Sequence, residues 1–360
     1  ICTNNNIAPR SPRRGENHLQ SLQLTQVSGV KAMKIKASLI LTVAALALSG
    51  SALAEVKIAL VAKSLGNGFF EAANVGAQEA AKELGDVKVI YTGPTTTTAE
   101  AQIEVLNGLI AQGVDAIAIS ANDPDAVVPV LKKAMQRGIK VVSWDSGVAK
   151  AGRQIHLNPS NNALIGETNV KLAADALKAL NVEKGEVAVL SATPTSTNQN
   201  TWIAEMKKVL PKYPSVNLVT VAYGDDLSDK SYREAVGLLK TYPELKVIVS
   251  PSSVGIVAAA QAVKDQGKIG KVYVTGLGLP SEMAGAVKSG ASKSFAIWNP
   301  IDLGYAATYL ADDLVKGTAT KGEASMGKLG KVKLDADGNG AMAEPFVYDA
   351  SNIDKFSKIF

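Results

Sequence analysis

The chain has 360 residues, 38 Lys and Arg against 33 Asp and Glu, one cysteine and two histidines, and 46% of it is hydrophobic. Six of the basic groups and one acid fall within residues 1–54, leaving 32 of each sign beyond them, so the basic excess supports neither a nucleic-acid nor an anionic-membrane partner. Past residue 54 there is no cysteine and a single histidine, His156, which excludes Cys-based zinc sites, thiol nucleophiles and any Ser-His pair not built on His156 from that stretch.

In chain order, residues 1–32 begin at Ile1 and hold Arg10, Arg13 and Arg14 without a hydrophobic period; they are read as an artefactual or disordered leader and set aside. Residues 33–54 have the layout of a signal peptide. Lys34 and Lys36 precede an apolar run over 37–48, and Ala52-Leu53-Ala54 forms a small-x-small site before Glu55, so the expectation is export with cleavage after Ala54. That run is shorter than the ~20 residues a membrane-spanning helix needs.

From residue 55 onward, short Val- and Ile-rich runs alternate with longer Ala-, Leu- and Lys-rich stretches, the pattern of repeated βα units around a parallel sheet. Strands are predicted over 56–62, 87–91, 116–120 and 141–144, then over 186–191, 218–222, 247–250, 272–275 and 294–298. Helices are predicted over 69–84, 98–112, 126–137, 162–179, 199–210, 228–242, 254–266, 281–289 and 303–316. Gly85, Gly113, Gly138, Gly267 and Gly317 stand where helices should end. Most of the strands are too apolar to have a wet face, so helices should cover both sides of each sheet. Their distribution on either side of residue 150 suggests two doubly wound halves, with a turn at 335–340 in a Lys- and Gly-rich tail.

Ligands of open α/β sheets bind beyond the carboxyl ends of the strands, and polar and aromatic residues gather there in this chain. They are Lys63, Asn67, Phe69 and Phe70 after the first strand, Asp123 after the third and Asp145 after the fourth; the second half adds Asn198, Gln199, Trp202, Pro251, Ser253, Trp298 and Asn299. Amides, hydroxyls, a lysine and carboxylates interleaved with aromatic rings suit a neutral polyol, whose hydroxyls pair with the polar groups while its C–H face lies on the rings. Each residue alone also has a plainer reading as a cap, turn or core residue; the signal is their joint occurrence. Gly66-Asn67-Gly68 lacks the third glycine of a dinucleotide fingerprint, because Glu71 stands there. Asp335, Asp337, Asn339 and Gly340 begin like a calcium loop but reach Phe346 at its twelfth position, so a plain turn is expected. Asp225-Asp226, with Asp229 and Lys230, is read as a solvated helix start, and His156 as a structural histidine on an alternating strand-like run. Nothing local singles out the facing carboxylates or activated nucleophile of a hydrolase.

The segments 63–70 (KSLGNGFF), 141–147 (VVSWDSG), 194–202 (PTSTNQNTW), 271–283 (KVYVTGLGLPSEM) and 295–304 (FAIWNPIDLG) resemble the type I periplasmic binding proteins, most closely the rhamnose-binding receptors of bacterial ABC sugar importers. The resemblance implies two Rossmann-like α/β lobes joined by a three-segment hinge. One lobe is expected over 55–158 plus 299–334 and the other over 159–298 plus 335–360. It further implies a non-enzymatic periplasmic receptor without cofactor or metal, monomeric in its family's manner, that delivers sugar to a membrane permease and its ATPase. Autoinducer-2 receptors are similar at Lys63, Asp145, Gln199 and Pro251 but differ at Asn198 and Ser253, which makes autoinducer-2 the alternative ligand. Ribose receptors are similar at Asn67, Phe69, Phe70, Asp123 and Asp145 and differ at Ser146 and Ser252.

Overall fold

Strands with two apolar faces are stable only when both faces are covered, and β1 (Val56–Val61) shows how this is met. Successive side chains of a strand point to opposite sides. Ile58 and Leu60 accordingly join one buried cluster with Ala73 and Ala77 of helix α1 (Gly68–Leu84), whereas Ala59 and Val61 join another with Leu106 and Leu109 of α2 (Ala99–Gln112) and Leu131 of α3 (Val128–Gln136). The computed structural model describes residues 55–320 and 322–360; the expected leader and signal peptide lie outside the described residues.

The first sheet continues with β2 (Val87–Thr92), β3 (Ala116–Ile119), β4 (Lys140–Trp144) and β5 (Ile155–Ser160). The second contains β6 (Gly185–Ser191), β7 (Val216–Tyr223), β8 (Leu245–Ser250) and β9 (Tyr273–Gly276) in the order β7-β6-β8-β9, all parallel. Helices α4 (Asn162–Ala179), α5 (Thr197–Val209), α6 (Ser228–Thr241), α7 (Ser253–Asp265) and α8 (Pro280–Ser289) accompany it. A parallel bridge between Leu277 and Ala296 attaches β10 (Ser294–Ile297) at its edge. Helix α9 (Pro300–Lys316) then returns to pack on α1 and the first sheet. That packing is close: a Cβ on Gly76 would stand 1.8 Å from the Ile301 carbonyl oxygen, and one on Gly304 2.0 Å from that of Ala73. Glycine is required at both places because two backbones meet there.

The tail departs from expectation. After the hairpin of β11 (Glu323–Ser325) and β12 (Lys331–Lys333), strand β13 (Asn339–Ala343) lies parallel to β5 and completes a first sheet ordered β13-β5-β4-β3-β1-β2, although residues from 335 onward are expected in the other lobe. Only β14 (Phe346–Asp349), antiparallel to β10, and the short helix α10 (Ile353–Phe356) belong with the second sheet. Without β13, the outer edge of β5 would leave its backbone donors and acceptors unpaired. Arg153 guides the pairing by donating to the Asp337 carbonyl at 3.1 Å and to Asn339 Oδ1 at 2.6 Å. The chain therefore passes between the sheets three times, near Ser160, near Trp298 and between β13 and β14.

Helix ends follow local chemistry. Gly85, Gly113 and Gly317 are left-handed C-caps, while Gly138 and Gly267 take the same conformation one residue beyond theirs. The 335–340 turn forms as expected, with Asp335 Oδ1 accepting from the amides of Asp337 at 2.8 Å and Asn339 at 2.9 Å.

Candidate functional site

The carboxyl ends of both sets of strands face a common narrow cavity of about 40 Å³ that opens to solvent. Beyond β1, the buried Lys63 donates through Nζ to Ser196 Oγ at 2.6 Å and to Asn198 Oδ1 at 3.4 Å. Beyond β4, Asp145 is held at a φ of +54°, a left-handed conformation that residues other than glycine seldom adopt. Its backbone amide donates to the Leu157 carbonyl at 3.1 Å, fixing that turn against β5. Its Oδ2 accepts from Ser120 Oγ at 2.8 Å, and its Oδ1 accepts from Asn198 Nδ2 at 2.9 Å across the cleft. Burial pushes the Asp145 carboxyl above the usual carboxylate range, with the charge of Lys63 and these two hydrogen bonds opposing it.

The second lobe answers from the start of α5. Gln199 Oε1 accepts from Ser191 Oγ and the Ala192 amide, both at 2.8 Å, so its Nε2 is the arm left for other partners. Trp202 Nε1 donates to Asn162 Oδ1 at 2.8 Å, which orients its ring. After β8 come Pro251, Ser252 and Ser253; Ser252 accepts from the Gly255 amide at 2.9 Å as the cap of α7 and donates to Asp226 Oδ1 at 2.5 Å. The lining also holds aromatic rings in edge-to-face contact. Phe69 meets Phe70 at 5.3 Å and Trp298 at 6.4 Å between centroids, and Trp298 meets Trp202 at 5.5 Å. Trp298 Nε1 is buried with no hydrogen-bond partner among the described residues.

Of the residues singled out in the sequence, Lys63, Asn67, Phe69, Phe70, Asp145, Asn198, Gln199, Trp202, Pro251, Ser253 and Trp298 all line this cavity. Asn67 does so while its Oδ1 caps α1 by accepting from the Phe69 amide at 3.0 Å. Adjacent helical residues such as Phe69 and Phe70 would ordinarily split between cavity and core, yet both are buried and both reach the cavity. Asp123 and Asn299 do not line it. Asp123 Oδ1 accepts from the amides of Asp125 and Ala126, both at 2.9 Å, and Asn299 Oδ1 caps α9 through the Ile301 amide at 3.0 Å. Short side chains next to unpaired turn or helix amides satisfy those first.

Four lining residues are absent from the sequence-based set: Asp226, Ser252, Leu277 and Ile297. Ser252 and Leu277 come directly after strands, within reach of the rule that found the others. Ile297 ends a strand with no polar signal at all. Asp226 corrects the reading of Asp225-Asp226 as a solvated helix start, because a φ of +53° turns it into the cleft. One lysine faces two carboxylates here, a balance that favours an uncharged or cationic guest over an anion. No cluster of potential metal ligands occurs among the described residues.

A family model described as periplasmic binding protein domain matches residues 58–319. The structure is similar to an ABC transporter solute binding protein from Clostridium phytofermentas with bound L-rhamnose, at 37% identity and a TM-score of 0.79, covering 85% of this chain and 99% of that one. It is also similar to LsrB from Clostridium saccharobutylicum in complex with AI-2, at 25% identity and a TM-score of 0.79, covering 84% and 99% respectively. In sequence it is 31% identical over 231 residues to the D-ribose/D-allose-binding protein of Pseudomonas aeruginosa, covering 61% of this chain and 70% of that protein. With two parallel sheets ending on one shared cavity and the chain crossing three times between them, the protein belongs to the periplasmic binding protein domain family and has its type I fold.

Proposed function

We propose that this protein is the solute receptor of an ABC importer, binding a neutral monosaccharide, L-rhamnose, between its lobes and presenting it to a membrane permease served by an ATPase. The observation that carries this reading is the composition of the cavity lining: Lys63, Asp145, Asn198, Gln199 and Asp226 supply polar groups, and Phe69, Trp202 and Trp298 supply aromatic rings. Hydroxyls pair with the first set, and aromatic faces cover the apolar side of a sugar ring. The orphaned Trp298 Nε1 is a donor suited to a ring or hydroxyl oxygen. Rhamnose is a 6-deoxy sugar whose methyl group favours the apolar wall of Leu277, Ile297 and the tryptophans, and the relative from Clostridium phytofermentas carries that sugar. In this reading the receptor acts as a periplasmic monomer after loss of residues 33–54, without cofactor, and breaks no bond in its ligand.

Autoinducer-2 is the second reading, favoured by the AI-2 complex of LsrB and by the presence of Lys63, Asp145, Gln199 and Pro251 in the cavity. A thermal-shift panel of monosaccharides and autoinducer-2, confirmed by calorimetry, separates the two. L-rhamnose is expected to give the largest rise in melting temperature. A rise with autoinducer-2 alone would replace rhamnose by the signal, a flat panel would remove the receptor reading, and release of product from an aryl rhamnoside would make the protein an enzyme.

A further inference from the structure

Three hydrogen bonds join the lobes without using any residue that lines the cavity. Thr97 Oγ1, between β2 and α2, donates to the Asp225 carbonyl at 2.8 Å. Thr195 Oγ1 donates to the Asn122 carbonyl at 2.9 Å, and Thr197 Oγ1 to the Gly147 carbonyl at 3.0 Å. Each acceptor lies in a loop beyond a strand end, and Gly147 and Asp225 stand close in sequence to the cavity residues Asp145 and Asp226. At the start of α5 the roles alternate along the chain: Thr195 and Thr197 reach backbone carbonyls of the other lobe, while Ser196 and Asn198 reach Lys63 and Asp145.

The acceptor for Thr97 is held in an uncommon conformation. Asp225 and Asp226 have φ values of +56° and +53°, a pair of left-handed residues neither of which is glycine. The Asp225 amide donates to the Ala192 carbonyl at 3.0 Å and its carboxylate pairs with Lys230 at 2.5 Å, so the turn is tied on both sides. One result is that the Asp225 carbonyl meets Thr97; the other is that Asp226 joins the cavity wall.

We propose that Thr97, Thr195 and Thr197 are positioning residues that form a latch, stabilising the closed arrangement of the lobes without touching the ligand and thereby setting affinity; this rests on the reading of the cleft as a sugar site. A hydroxyl and a carbonyl on separate lobes can bond only while the lobes are together. When the lobes part, both groups return to water, so each bond contributes the modest net amount of an ordinary intramolecular hydrogen bond. Ligand affinity contains the closing equilibrium, and every contact present only in the closed form strengthens it. Encounter occurs with the open form, so the latch slows release and leaves association unchanged. Thr97 is buried whereas Thr195 is exposed at the rim, which makes Thr97 the strongest of the three.

The test uses Thr97→Val, Thr195→Val, Thr197→Val and the triple variant in the whole protein, with L-rhamnose binding followed by calorimetry and by stopped-flow tryptophan fluorescence. Each Val variant is expected to raise Kd by about two- to tenfold, Thr97→Val most, with the change in the release rate and the association rate within about twofold. Thr97→Ser, which restores the hydroxyl, should return Kd to the parent value, an effect a purely steric role for Thr97 would not show. Unchanged Kd in the triple variant, or a change carried by association, overturns the latch. If the parent protein binds no sugar of the panel, the receptor reading has failed and the latch falls with it, an outcome distinct from a parent that binds and a triple variant that binds equally well.

Discussion

Asp145 illustrates how much one residue can be made to do. Its left-handed backbone, its burial and its two hydrogen-bonded oxygens place a carboxylate at the meeting point of Ser120, Lys63 and Asn198. Replacing it by Ala removes a charged partner for a sugar hydroxyl and is expected to weaken rhamnose binding by about ten- to hundredfold, corresponding to ~1.5–3 kcal/mol, in a calorimetric titration. An unchanged affinity would reject the proposed site. His156 carries a different residue-scale prediction. Burial, reinforced by the charge of Arg153, lowers its pKa to about 4, and its ring sits against Ser143 Oγ at 2.9 Å and Asn158 Oδ1 at 3.1 Å. On acidification the unfolded chain takes up this proton near the ordinary histidine value of ~6.5, whereas the folded protein resists until about 4. The folded state therefore loses stability as pH falls from ~6.5 to about 4, by about 3 kcal/mol in total from this group. Urea denaturation at the two ends of that window should show the loss, and His156→Gln should reduce its slope. The structural role read for this histidine from its alternating run agrees with its burial on β5.

At the scale of elements, the pairing of α1 with α9 depends on two glycines at a backbone crossing. Gly304→Ala would push a methyl group into the Ala73 carbonyl, and overpacking of this kind costs roughly 1–3 kcal/mol because the helices must separate. A lower midpoint in chemical denaturation checks it; an unchanged midpoint would mean that the helices shift without penalty. The elements themselves were largely legible from pattern. Runs such as 56–62 and 247–250 are apolar on both faces and became central parallel strands. Strand β13 was not legible: Asn339-Gly340-Ala341-Met342-Ala343 has no β-branched residue, and it is a strand only because β5 offers it an edge. Asp123 and Asn299 obeyed the same strand-end rule as Asp145 yet stay out of the cavity, because nearby amides of their own turns captured them. Spacing identifies the residues beyond a strand without fixing which way their side chains turn.

For the whole molecule, the cavity exists only where two sheets confront each other. Binding that draws on both lobes must stabilise the fold by linkage, and sugar at a hundredfold its Kd should add about 2.7 kcal/mol to the free energy of unfolding. Parallel denaturation curves with and without L-rhamnose would measure this, and coincident curves would contradict a site built from both lobes. Repeated βα units, an apolar interior and a set of polar and aromatic strand ends were determined by the sequence alone, because they depend on period, composition and local spacing. The partition of the tail between the sheets, the turning of Asp226 into the cleft and the apolar contribution of Ile297 were decided by tertiary structure. Each of those depends on a partner distant in sequence, an open strand edge, a strained turn or an opposing lobe, and no local pattern encodes the position of such a partner.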